Sequence, residues 1–132
     1  MITHLDEAIA RINDTHLTTQ EREEAIHYLK QHPNPAGVAP LVQALEDGDP
    51  GIRWAAAEAL SAFPLAELRP LLEALVRSPD SVWLREGAHH VLTHLRRTEE
   101  IQQVQALRDA LQGEGAIYAT EMAAVKLLEH IS

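Results

Sequence analysis

The sequence predicts an all-α protein built as a stack of about four helical hairpins, and three observations carry that prediction. Apolar residues recur at three- and four-residue intervals, as in Val38, Leu41, Val42 and Leu45, while the strict alternation of a strand never persists. Breakers cut the chain into helix-sized lengths at "HPNPAG" (32–37), "EDGDPG" (46–51), "FPLAELRP" (63–70), "RSPDS" (77–81) and "QGEGA" (112–116). The pieces also repeat: "REEAIHYL" (22–29), "RWAAAEAL" (53–60) and "REGAHHVL" (85–92) superimpose at offsets of 31 and 32 residues.

Each unit reads as a first helix, a short turn and a second helix. The first helices fall at about 2–13, 36–46, 66–77 and 99–111, the second at about 19–31, 50–62, 82–96 and 117–131. Thr18, Asp49 and Ser81 stand four positions before Arg22, Arg53 and Arg85, where an N-cap belongs. In the second unit Ile52, Ala55, Ala56, Ala59, Leu60 and Phe63 form the apolar stripe. The fourth unit, "EMAAVKLL" (121–128), is displaced by 36 residues and has Glu121 in place of the arginine, the kind of departure a terminal unit shows when it covers the end of a stack. One hairpin cannot bury both its apolar stripes, whereas four stacked hairpins share a continuous core, which makes the chain one α-solenoid domain over 1–132, with units of about 1–33, 34–64, 65–97 and 98–132.

Composition narrows the function. The chain has no cysteine, which excludes disulfides, thiolate metal sites and cysteine nucleophiles. Its formal charge is −9, with acids in excess at both ends and only the middle third slightly basic. Nucleic-acid binders draw affinity from Lys and Arg on phosphate, so nucleic acid is not expected as a partner. No apolar run reaches the roughly 18–20 residues a membrane helix needs, and no leader is visible, so a cytoplasmic protein is expected. Ser61, Ser78, Ser81 and Ser132 lack a nucleophile setting, and "GDPG" and "GEG" match no phosphate-binding loop.

The stretch "VAPLVQALEDGDPGIRWAAAEAL" (38–60) resembles the HEAT-like repeat of the kind named after phycobilisome lyases. It has proline at the start of the first helix (Pro40, echoed by Pro70), leucines Leu41 and Leu45, a turn aspartate Asp49, the pair Ile52 and Arg53, and then Ala-Ala-x-x-Ala-Leu. The resemblance implies a right-handed α-solenoid whose second helices line a concave face. It also implies a structural ladder between repeats formed by Asp49, Arg53 and Arg85, with Thr18 and Ser81 departing from the aspartate. Such proteins mostly bind other proteins or act as assembly factors. A hydroxylase relative binds iron through His-Glu dipeptides, and no such dipeptide occurs here. A lyase relative handles a tetrapyrrole, which leaves a small-molecule or chromophore-handling protein as the alternative.

On the second unit, the face opposite the buried stripe falls on Trp54, Ala57, Glu58 and Ser61. The same register elsewhere gives Glu23, Ile26, His27 and Lys30, then Glu86, His89, His90 and Thr93, then Met122, Val125, Lys126 and Glu129, and these rows are expected side by side. Trp54 leads the candidates, either as an exposed interface anchor or as packing over Gly87 of the next second helix. Trp83 reads as turn packing. Glu86, His90 and His94, at i, i+4 and i+8, could offer ligands to a divalent ion, but a solvated polar face is the plainer account. The expectation is a protein without catalysis or cofactor. It would bind a partner of basic surface through Trp54, Glu58, Glu86, His90, His27, Met122 and Lys126. The oligomeric state stays open, since "VKLLEHIS" ends with an apolar stripe.

Overall fold

A computed structural model describes residues 4–113 and 116–131, and among them helices account for all the regular structure. The first hairpin pairs α1 (Leu5–Ile12) with α2 (Thr19–Gln31), and the second pairs α3 (Val38–Ala44) with α4 (Pro50–Leu60). The third pairs α5 (Arg69–Arg77) with α6 (Val82–Thr93); α7 (Thr98–Gln103), α8 (Gln105–Gln112) and α9 (Ile117–Ile131) make the fourth. The predicted helix start at residue 2, the centre of the "QGEGA" breaker and Ser132 lie outside the described residues.

Thr18, Asp49 and Ser81 are N-caps, accepting from the backbone N–H of Glu21, Gly51 and Leu84 respectively, and Thr18 and Glu21 form a reciprocal capping box. First helices two and three start later than the periodicity predicts. Single 3₁₀ segments, Pro35–Gly37 and Leu65–Leu68, precede α3 and α5. Pro40 and Pro70 explain the delay: a proline has no N–H to donate and is tolerated only within the first α turn. The helix expected over 99–111 is two, divided at Val104, whose side chain is fully buried.

Two rows of helices enclose the core. The second helices α2, α4 and α6 stack on one another, and the first helices α1, α3 and α5 form the other row. Leu29, Leu41, Leu45, Ile52, Leu60, Leu68, Leu71, Leu72 and Leu75 fill the space between them and are fully enclosed. Each such side chain contributes roughly 2 kcal/mol of apolar burial. The chain is thus an all-α solenoid of the repeat type.

The fourth hairpin departs from the expected register. Its first helix, α8, packs beside α6, and its second helix, α9, packs against α5. The two layers are exchanged, so Met122, Val125, Lys126 and Glu129 do not continue the row that carries Trp54, contrary to the sequence expectation. The apolar stripe of α9, with Thr120, Ala124 and Leu127 buried, is spent on α5 and α8.

Arginines tie consecutive units together. Arg22, buried with its charge, donates Nε to the Ile12 carbonyl at 2.8 Å and pairs with the Asp47 carboxylate of the next turn. Arg53 and Arg85 each donate to the carbonyl six residues earlier, Asp47 and Pro79, both at 2.8 Å. Arg53 also lies over the Trp83 ring, 4.1 Å from its centroid. Arg85 reaches into the fourth hairpin, donating to Thr120 Oγ1 at 2.7 Å and to the Ala110, Leu111 and Gly113 carbonyls. Asp49 accepts from the Thr19 hydroxyl at 2.6 Å, while Ser81 donates to Glu46 at 2.5 Å.

Candidate functional site

The second-helix row presents Trp54 to solvent. Ala55, Ala56 and Ala59 let α4 pack closely, and Trp54, on the opposite side of that helix, is 61% exposed and so is not covered by the neighbouring second helix. Two neighbours expected on the same face, Ile26 and Ala57, are buried, because the contacts of α4 with α2 and α6 take up more of each helix than a single stripe.

One turn after Trp54, Glu58 joins three helices. Its Oε1 lies 2.9 Å from His90 Nε2 on α6, and its Oε2 lies 3.9 Å from Lys30 Nζ on α2. His90 is the better enclosed partner and contacts two other rings. The Trp54 indole is tilted against it at 4.8 Å between centroids, and the His94 ring lies 4.2 Å away, its Nδ1 directed at the His90 carbonyl at 2.7 Å. The structure therefore brings Trp54, Glu58 and His90 together and recruits Lys30. Among the described residues no group of three or more His, Asp or Glu side chains is arranged to hold a metal ion.

Between α4 and α6 a cleft of about 260 Å³ opens to solvent, lined by Trp54, Trp83, Arg53, Glu86 and His90 among others, with Gly87 in its wall. Gly87 permits the close approach there, since a Cβ on it would stand 2.8 Å from Leu45 Cδ2, a side chain buried in the core. The sequence leads one to expect Trp83 as turn packing. It is a partly exposed wall of this cleft instead, held by the Arg53 guanidinium. The repeat register carried a signal for it: Trp83 occupies the position that is Gly51 in the preceding unit, where the scaffold itself asks for no side chain.

The other candidates lie apart. His27 is exposed on α2, along the same row but outside the cleft. Lys126 lines a separate groove between α8 and α9 together with Gln103 and His130, and Met122 is exposed on α9. His89 leaves the row and turns to α8, where burial first, then the charge of Arg108, then that of His90, pushes its pKa below the ordinary histidine value. Its Nε2 and the Nε of Arg108 are buried without a hydrogen-bond partner among the described residues.

The two carboxylates of the "DGDP" turn divide the work. Burial acts to raise the pKa of Asp47, but hydrogen bonds from Arg22 and the Asp49 N–H, together with the guanidinium charge, hold it below the usual carboxylate range. Asp49 is also held low, first by the Thr19 hydroxyl and then by the Gly51 N–H. The buried rung is Arg22 with Asp47; Asp49 serves as cap and outer link. Arg53, which borders the cleft, and Arg85, which lies outside it, are both turned to carbonyls and neighbouring repeats.

A stack of helical hairpins linked by an arginine in each of the first three second helices defines a helical-repeat protein. Residues 5–93, about two-thirds of the chain, match the family model described as HEAT repeats, and the chain belongs to that family. HEAT repeats typically mediate protein–protein contacts and are generally scaffolds without catalysis. The match covers the three regular hairpins and stops before the one whose layers are exchanged. No curated protein and no solved structure matches the chain. No described helix is long and apolar enough to cross a membrane.

Proposed function

We propose that the chain is a non-catalytic protein-interaction or assembly module that docks its partner on the second-helix row, with Trp54 as the central anchor. The observation that carries this is the exposure of Trp54 beside a polar cluster drawn from three successive repeats. An exposed indole on a rigid support offers a large area and an N–H donor, and truncating such an anchor commonly costs ~2 kcal/mol or more of binding. Glu58, Glu86 and His90 surround it, and His27 extends the row onto α2. The charge of −9 favours a partner of basic surface and disfavours nucleic acid. Action in the cytoplasm belongs to the same reading.

The small-molecule alternative calls for an enclosed chamber between second helices, and the space between α4 and α6 is an open cleft, which favours a macromolecular partner. The test is affinity capture from the native host with the wild-type chain and Trp54→Ala side by side, helicity and melting temperature serving as fold controls. Loss of specific partners from a folded Trp54→Ala variant is expected; an unchanged set of partners would sink the assignment.

A further inference from the structure

Resting on that reading, we infer that the cleft between Trp54 and Trp83 is a receptor for a single arginine side chain presented by the partner, with Glu86 as its counter-ion. Three features of the cleft lead there. Its only tryptophan faces belong to two partly exposed indoles, Trp54 on α4 and Trp83 on α6. The cleft already shows how it treats a guanidinium, since Arg53 of the chain itself lies over Trp83 at 4.1 Å. Trp54 carries no such cation, its ring meeting only the tilted His90 imidazole among the described residues.

The hydrogen-bonding capacity of the walls has the same sense. Arg53 donates to the Asp47 carbonyl and lies over Trp83, and His90 directs its Nε2 at Glu58, so each of these groups already has a partner within the chain. Glu86 lines the cleft, is exposed, and makes no ion pair or hydrogen bond among the described residues. It is also the register equivalent of Trp54 in the next repeat, so carboxylate and indole stand at matching places on adjacent helices.

An unengaged carboxylate in one cleft with an indole that carries no guanidinium asks for a donor that is flat, cationic and forked. Guanidinium meets all three demands, stacking on the ring while two N–H groups address the carboxylate; an ammonium does so only as a point charge. The acidic balance of the chain brings such a partner in and repels acidic ones.

The test uses the nitrogen-15-labelled full chain and follows the two indole Nε1–H resonances by NMR. N-acetyl-arginine amide is titrated against its neutral isostere N-acetyl-citrulline amide and against N-acetyl-lysine amide. Saturable shifts of both indoles with the arginine probe, absent with citrulline and weaker with lysine, are expected. Glu86→Gln, an exposed substitution that leaves the core untouched, should weaken arginine binding about fivefold or more, the scale of losing one charge-assisted bidentate contact. Equal responses to arginine and citrulline, equal responses to arginine and lysine, or indifference to Glu86→Gln would each overturn the inference. If Trp54→Ala strips partners in the capture experiment while the arginine probe moves neither indole, the protein-binding reading stands and the arginine receptor falls. A Glu86-dependent response supports the receptor even where capture is indifferent to Trp54, and then only the wider reading fails.

Discussion

The aspartates of the "DGDP" turn look alike in sequence and differ in consequence. Arg22 and Asp47 are nearly enclosed, with side chains 7% and 15% exposed, so deleting one partner strands the other charge away from water. Breaking such a pair costs about 3 kcal/mol, and Asp47→Ala should destabilise the chain by that order in chemical denaturation. Asp49→Ala removes a cap and the outer bond to Thr19, and its loss should be clearly the smaller. An inverted order of the two variants would show that the ladder runs through the cap. The sequence singles out Asp49 and passes over Asp47, since nothing in the spacing tells which carboxylate a buried arginine reaches from the preceding repeat. Trp54 was legible for the opposite reason: a large residue among alanines, on a face the repeat leaves undemanded, is conspicuous without coordinates.

The register of the first three second helices could be read because caps, arginines and apolar spacing all agree on it, and the structure keeps all three caps. The limits of the first helices were less legible, because a proline permits either a 3₁₀ lead-in or an immediate α turn. Least legible was the neighbour of α6. Periodicity tells which face of α8 is apolar, and that face fits either layer of the stack. The choice made by α8 has a measurable effect through His89, which it helps to enclose near Arg108. A histidine whose folded-state pKa is depressed stays neutral while the unfolded chain takes up a proton. Stability attached to His89 is therefore full at neutral pH and declines as pH falls below the ordinary histidine value of about 6.5. His89→Gln removes the titration, and its unfolding free energy should fall less steeply between pH 7 and pH 5 than that of the wild type. Parallel slopes for the two proteins would contradict the placement of His89.

At the scale of the whole molecule, the exchange of layers makes the fourth hairpin a closure rather than a further turn of the stack. It covers α5 with α9 and α6 with α8, so both rows end against it at once. Removing residues 98–132 would uncover apolar side chains on two helices together, and the fragment 1–97 should bind a hydrophobic dye and associate in size-exclusion chromatography. A monomeric, dye-silent fragment would show that three hairpins suffice. The general fold was legible from the repeats because stacking is local and each hairpin touches its neighbours; the closure was not, because it depends on a long-range choice between two apolar faces. The placement of the tryptophans has a practical corollary. The chain holds two, and both line the cleft rather than the core. Tryptophan fluorescence, excited beyond the tyrosine band, is consequently an optical gauge of the cleft, and a thermal scan read at the indole emission follows the contact between α4 and α6 while circular dichroism follows the helices.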